Sequence, residues 1–329
     1  MKKSLIALAA LAAVGVASAQ SSVTLSGGLN IGYGSTAGVK TVANNQVAAN
    51  NLTFTASEDL GGGLRATGAI NIRFNPATGY NIGNGGSTLP TTAGADDPDE
   101  FDAGAQNIFL GLAGGFGEIR LGRFTNVVQG PLGTYDPFGT DSNGVGSDST
   151  HLVSRTNGSI AYLSPVVSGF QLAVQTSLMN NSTAADAATA ATKSLTEVAV
   201  TFSQGPIKAM VGTQSSLVDT KSNAFAFSYD LGVATPSVAY VKSETSAGVE
   251  HTSTAIGVSI PMGALRLKAG HRILGTSTTG TADIKRTSLG ATYSLSKRTS
   301  LLADTHKESG NTTAATNKQA YYLGVRHTF

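Results

Sequence analysis

Polar and apolar residues alternate along this chain in one segment after another. In residues 64–74, Leu64, Ala66, Ile70, Ile72 and Phe74 share one parity, against Arg65, Thr67, Asn71 and Arg73 on the other. A repeat of two is that of a β-strand whose faces meet different surroundings. Residues 23–34 read the same way, with Val23, Leu25, Leu29, Ile31 and Tyr33 opposing Thr24, Ser26 and Asn30. So do residues 51–57, where Leu52, Phe54 and Ala56 oppose Asn51, Thr53, Thr55 and Ser57. Such a chain forms sheet, and the question is what each face touches.

The first 19 residues stand apart. Lys2 and Lys3 precede an apolar stretch at 5–16, and Ala17, Ser18 and Ala19 follow as an A-x-A site. This is the pattern of a cleaved secretory signal peptide, residues 1–19, with an apolar core too short to span a bilayer. The expected mature unit is residues 20–329. No later apolar run approaches the ~18 residues of a transmembrane helix. The mature chain is therefore a soluble exported protein or a barrel that carries its membrane signal in alternation.

Composition favours the barrel. Charged residues make up 13% of the chain, about half the ~25% of soluble domains. That deficit suits a surface facing lipid. Removing Lys2 and Lys3 from the 22 basic residues leaves 20, against 20 acidic ones. A near-neutral chain has no electrostatic footprint for nucleic acid. With no Cys, no disulfide supports an exported fold. Many of the 40 Gly lie inside strand-like segments, where they suit bends and close contacts. With no Trp, any aromatic girdle comes from Tyr and Phe. The five His residues show no metal-ligand spacing, and no nucleotide or hydrolase motif is present. The reading assigns no catalytic residue, no metal and no cofactor.

The connections alternate between short and long. Short ones fall at 58–63, 114–117, 167–168, 204–206, 231–232, 261–263 and 296–298; long ones fall at 35–48, 75–104, 126–156 and 178–193. Transmembrane β-barrels have short turns at one rim and long loops at the other, and the count gives about sixteen strands of about ten residues. The expected fold is all-β: a closed antiparallel transmembrane barrel with a polar lumen and an apolar exterior. By parity, Arg65, Arg73, Arg120, Lys208, Arg266, Lys268, Arg272, Arg286 and Arg326 point inward. Lipid gives the same answer, because Arg or Lys facing the bilayer midplane costs about 2–4 kcal/mol.

The last strand-like segment places Tyr321, Leu323, Val325 and the terminal Phe329 on one face. Together with it come the turn Glu58-Asp59-Leu60-Gly61, the run Phe109-Leu110-Gly111-Leu112, the run Leu121-Gly122-Arg123, the strand end Tyr162-Leu163-Ser164-Pro165, and Gly169-Phe170. In this order the chain resembles the general diffusion porins of Gram-negative outer membranes, from residue 20 to residue 329. The resemblance implies an outer-membrane homotrimer that passes ions and small hydrophilic solutes and meets lipid bilayer and lipopolysaccharide. It implies that Phe329 signals to the outer-membrane assembly machinery; the first strands, with Gly27, Gly28 and Gly32, are the candidate surface for the trimer contact.

The resemblance also implies a third long loop, residues 126–156, folded into the lumen as a constriction. Its acids are Asp136, Asp141 and Asp148, and no Lys or Arg precedes Arg155. Facing it would stand a basic wall of Arg65, Arg73, Arg120, Arg155, Arg266, Lys268, Arg272 and Arg286. The chain departs from its relatives where many carry an arginine cluster: the matching positions read Asn51, Gln106 and Ala161. The selectivity expected is a weak lean to anions. A substrate-selective channel for sugars or phosphate-like anions is the alternative on the same barrel. The crowded acids Asp96, Asp97, Asp99, Glu100 and Asp102 read as a solvated loop, or as a divalent-cation site or inter-subunit latch.

Overall fold

The structure, a computed structural model, describes residues 21–36, 38–43, 50–74, 76–77, 105–139, 152–178, 194–215, 220–278, 282–310 and 319–329. The signal-peptide region, the acids at 96–102, the Gln106 side chain, Asp141 and Asp148 lie outside the described residues.

In chain order the strands are β1 (Ser22–Thr36), β2 (Val39–Ala43), β3 (Asn51–Gly61), β4 (Leu64–Arg73), β5 (Ala105–Gly114), β6 (Gly117–Thr125), β7 (Arg155–Leu163), β8 (Phe170–Ser177), β9 (Thr196–Gln204), β10 (Ile207–Ser215), β11 (Lys221–Tyr229) and β12 (Thr235–Glu244). They continue with β13 (Glu250–Met262), β14 (Leu265–Thr276), β15 (Ile284–Ser294), β16 (Thr299–Ser309) and β17 (Gln319–Thr328). Between β6 and β7 lie a helical turn, α1 (Gln129–Leu132), and a 3₁₀ turn (Gly133–Tyr135).

The sheet closes on itself. From β3 to β17 each strand pairs antiparallel with the next, and β17 then pairs with β1 from Gly28↔Thr328 to Thr36↔Ala320. On its other edge β1 pairs with β3 along its first half and with β2 along its second. β2 and β3 therefore fill one place, and the barrel has sixteen strands. Closure leaves no unpaired edge, which is what lipid requires of a backbone that it cannot hydrogen-bond.

The short turns are built by glycine and aspartate. Gly61, Gly62 and Gly63 hold φ of +82°, +62° and +80°, a region that side chains with a Cβ disfavour. Asp59 Oδ1 accepts the Gly61 N–H at 2.8 Å, and Asp230 Oδ1 does the same for Gly232.

Burial follows parity around the wall. On β11, Ser222, Ala224, Ala226 and Ser228 are buried, while Lys221, Asn223, Phe225 and Tyr229 are exposed. Outward positions elsewhere hold Leu110 (73% exposed), Leu121, Ile256, Leu289 and Leu323. This is the inverse of a soluble core, with apolar side chains outside and polar or small ones inside. Polar groups on the outer face pair across strands: His271 Nδ1 lies 2.8 Å from Thr287 Oγ1, and Thr299 Oγ1 lies 2.9 Å from His327 Nδ1.

Phe329 sits on the outer face, as parity requires. It exchanges backbone hydrogen bonds with Gly27 at 3.0 and 3.1 Å. Its ring covers that glycine, for a Cβ on Gly27 would lie 2.7 Å from Phe329 Cζ. Gly27 is thus outward. Gly32 points inward beneath the Tyr322 ring, and Gly28 shares its parity. The structure corrects the expectation that all three glycines belong to one outer contact surface.

Candidate functional site: the lumen and its third loop

The segment after β6 lies along the inner wall and passes the strands in order. Asn126 anchors its start: its backbone N–H donates to Ser154 O at 2.9 Å and its Nδ2 to Val153 O at 2.9 Å. Thr156 Oγ1 donates to Asn126 Oδ1 at 3.0 Å, and Gln175 Nε2 on β8 donates to the same oxygen at 2.7 Å. Thr156 and Ser159, three residues apart, both face inward, with hydroxyls 2.9 Å apart. Gly158, at φ +52°, makes the bulge that breaks strict alternation there.

Two further strands take the next residues. Val127 N–H donates to Gln175 Oε1 and Val128 N–H to Glu197 Oε2, both at 3.2 Å. Gln214 Nε2 on β10 donates to Glu197 Oε1 and, at 3.1 Å, to Val153 O, while Gln214 Oε1 accepts Val153 N–H at 2.8 Å. Glu197, Gln175 and Gln214 are almost fully buried. Three long polar side chains from β8, β9 and β10 thus hold both ends of the loop. Buried polar groups require such partners.

The middle and tip of the segment rest on small residues. Phe124, Val127, Val128, Leu132, Tyr135 and Phe138 cluster with wall residues Ala161, Ala199, Met210, Ala224, Ala226, Ala239, Val241 and Ala255. Burying each large side chain contributes about 1.5–3 kcal/mol. A Cβ on Gly212 would lie 3.0 Å from Val128, one on Gly257 2.6 Å from Pro137, and one on Gly290 2.7 Å from Phe138. β10, β13 and β15 therefore carry glycine where the loop comes closest. Burial pushes the Tyr135 phenol up to about 12, so it stays neutral.

The expected site residues divide sharply. Asp136 is buried, and its Oδ1 accepts Phe138 N–H at 2.9 Å, so its carboxylate shapes the turn at 136–139. Lys268 points inward but lies beneath the loop. Its Nζ is 2.9 Å from Asp304 Oδ1 and 4.6 Å from the centre of the Phe138 ring. Arg286 donates from Nε and Nη2 to Glu308 Oε2 at 2.8 and 2.6 Å. Arg120 pairs with Glu118 at 2.7 Å and stacks over Phe109 at 4.8 Å. Glu118 also accepts from Thr67 at 2.8 Å.

Arg65, Arg120, Glu118, Asp59, Ser164 and Gln171 line a hollow at the short-turn end of the lumen. Arg266, exposed at that same end, donates to Ser259 Oγ at 2.9 Å. Arg272 is buried further along β14, in register with Arg286. Arg73 is half-buried opposite Asn51, and Arg155 is half-buried opposite Thr125 beside the loop base. Ala161, one of the three positions where the resemblance led to an expectation of arginine, is buried in the loop's bed.

Sequence reasoning missed Gln175, Gln214, Phe138 and Asp304 as parts of this site. A usable signal was present: Gln175, Glu197 and Gln214 share the inward parity on consecutive strands, with Gln175↔Glu197 and Gln214↔Glu197 in register.

A family model described as Gram-negative porin matches residues 7–314. The chain belongs to that family. Among curated relatives, outer membrane porin protein 32 of Delftia acidovorans is 28% identical over 361 residues, covering 99% of this chain and 93% of the relative. An outer membrane porin protein of Bordetella pertussis is 26% identical over 403 residues, covering 100% of both. Among solved structures, an anion-selective porin from Comamonas acidovorans superposes with a TM-score of 0.74 at 21% identity, covering 94% of this chain and 100% of that one. This porin is a multi-pass protein of the outer membrane, with its apolar face in the bilayer.

Proposed function

We propose that this porin is a passive diffusion channel for ions and small hydrophilic solutes, leaning weakly to anions, and that residues 126–156 form its constriction. The observation that carries the reading is the segment 126–139 laid along the inner wall of a closed barrel, where it takes up part of the lumen. The lean to anions draws support from Arg65 and Arg266, exposed on the inner parity, and from the anion-selective relative. The charge pairs Arg120–Glu118, Lys268–Asp304 and Arg286–Glu308 explain why the lean is weak, since each is neutral as a unit.

The same reading takes residues 1–19 as a signal peptide and 20–329 as the mature barrel. It takes the assembly as a homotrimer in contact with lipopolysaccharide, and Phe329 as the mark read by the assembly machinery. An apolar hollow on the outer face, lined by Val23, Phe54, Ile70, Ile108, Leu110 and Leu121, offers a surface for barrel-to-barrel packing.

Planar-bilayer recording of the purified protein tests the channel. Steps of conductance linear in salt, with a small anion-favouring reversal potential in a gradient, are expected. Absence of steps refutes the channel, and conductance that saturates with one solute would replace it with a selective pore. Native mass measurement in detergent tests the trimer, which a purely monomeric species would refute.

A further inference from the structure

Phe138, near the end of the described segment 126–139, rests on a seat made by three strands. Phe138 is 1% exposed and lies over Gly290 of β15. Lys268 of β14 places its ammonium against the ring face, 4.6 Å from the centre. Asp304 of β16 closes the seat from the other side, 2.9 Å from Lys268 Nζ. The two charged side chains are 3% and 0% exposed. A Cβ at Gly290 would lie 2.7 Å from the ring and 2.9 Å from Lys268 Cε, besides striking Asp304 Oδ1. Glycine is therefore the residue that lets ring, cation and carboxylate converge.

The neighbouring cation on the same strand is placed differently. Arg266 is exposed toward the water of the lumen and donates to a serine hydroxyl. Lys268, two residues away on the same parity, is covered. An ammonium flanked by a carboxylate and an aromatic face, and shut off from water, has both its charge and its reach taken up. The water path meets the pair as a neutral object.

We propose that Asp304 is a selectivity-determining residue of the channel: it holds Lys268 beneath the Phe138 ring and so withholds one cation of the basic wall from passing ions. Asp304 acts through Lys268 and touches no solute itself. The inference rests on the diffusion-channel reading for its consequence, but the seat can be tested without any current.

Amine-selective acylation of the folded barrel in detergent, read by mass spectrometry, gives the first test. Lys268 should be acylated at least tenfold more slowly than Lys208, an exposed inward lysine. Asp304→Asn should remove most of that protection. It should also raise the anion-to-cation permeability ratio in a salt gradient by roughly twofold, as expected of a potential change on the order of kT. Gly290→Ala, which keeps both charges but crowds the seat, should likewise expose Lys268 and gives a second route should Asp304→Asn not fold. Equal acylation of Lys268 and Lys208 in the unaltered protein overturns the proposal. So does an Asp304→Asn channel with unchanged permeability ratio, or a folded Gly290→Ala barrel with Lys268 still protected. A protected Lys268 in a protein that passes no current would instead refute the channel reading and leave the seat standing.

Discussion

Tyr322 and Asn30 meet across the seam where the last strand joins the first: the phenol donates a 2.9 Å hydrogen bond to Asn30 Oδ1. The Asn30 N–H in turn donates to Asn50 Oδ1. The Tyr322 ring lies over Gly32 and Gly324, so it packs where neither strand has a side chain of its own. One inward aromatic therefore joins β17, β1 and the start of β3.

Tyr322→Phe should lose about 1 kcal/mol, the net value of one hydrogen bond. Tyr322→Ala should lose about 3–5 kcal/mol, as for other large aromatic truncations. Unfolding in denaturant followed by the gel shift between folded and unfolded barrel measures both. Equal stability of the Ala variant and the unaltered barrel would show that the seam closes without this ring.

Phe329 closes the outer side of the same seam. Its deletion should lower the amount of folded barrel in the outer membrane while export to the periplasm continues, measured by fractionation and heat-modifiable mobility. Normal assembly would count against its role as a signal.

Glu197 holds the base of the third loop. Glu197→Leu leaves the Val128 N–H without this acceptor and the Gln214 amide with only Val153 O, at about 1–3 kcal/mol for a buried group left unsatisfied. Glu197→Gln keeps an acceptor for Val128 and should be milder. The Leu variant should show faster protease cleavage within residues 126–139 and noisier open-channel current. A quiet, protease-resistant Leu variant would place the anchor elsewhere.

Gly257 gives a steric test of the loop's bed. Gly257→Leu forces a side chain into Pro137 and should move the loop away from the wall, lowering single-channel conductance. Gly115→Ala is the control, since a Cβ there meets nothing within 4 Å. Equal conductance in the two variants would refute close packing of the loop at β13.

Selectivity should respond to the wall more than to the loop's first acid. Arg266→Gln with Arg65→Gln should move the reversal potential toward cations, and the shift should shrink in 1 M salt, where screening shortens to ~3 Å. Asp136→Asn should change the reversal potential little, because that carboxylate is buried in a turn. A larger shift from Asp136→Asn than from the two arginines would reverse this assignment.

The barrel was legible because alternation is a local property. Leu267, Ala269 and Ile273 against Arg266, Lys268 and Arg272 names a lipid face and a water face without knowledge of any partner strand. Strand pairing then follows from turn length, as at Gly61–Gly63. The site was less legible because its contacts are distant in sequence. Nothing near Lys268 announces Asp304, 36 positions later, and nothing near Phe138 announces Gly290. Parity places a side chain inside but does not say whether water or the third loop will cover it.

That last distinction divides the inner wall into two mutational territories. Residues 126–139 pack along the arc from β7 to β16, where many inward residues are Ala, Ser or Gly. The arc from β17 through β1 to β5 carries Asn30, Asn71, Arg73 and Thr67, and among the described residues none of the third loop is clustered with them. Enlarging a side chain in the loop's bed should act on the pore through the loop it displaces, as at Gly257, and on the second arc should act on the lumen directly. Substitutions from β17 to β5 would therefore tune the pore without disturbing the seat of residues 126–139.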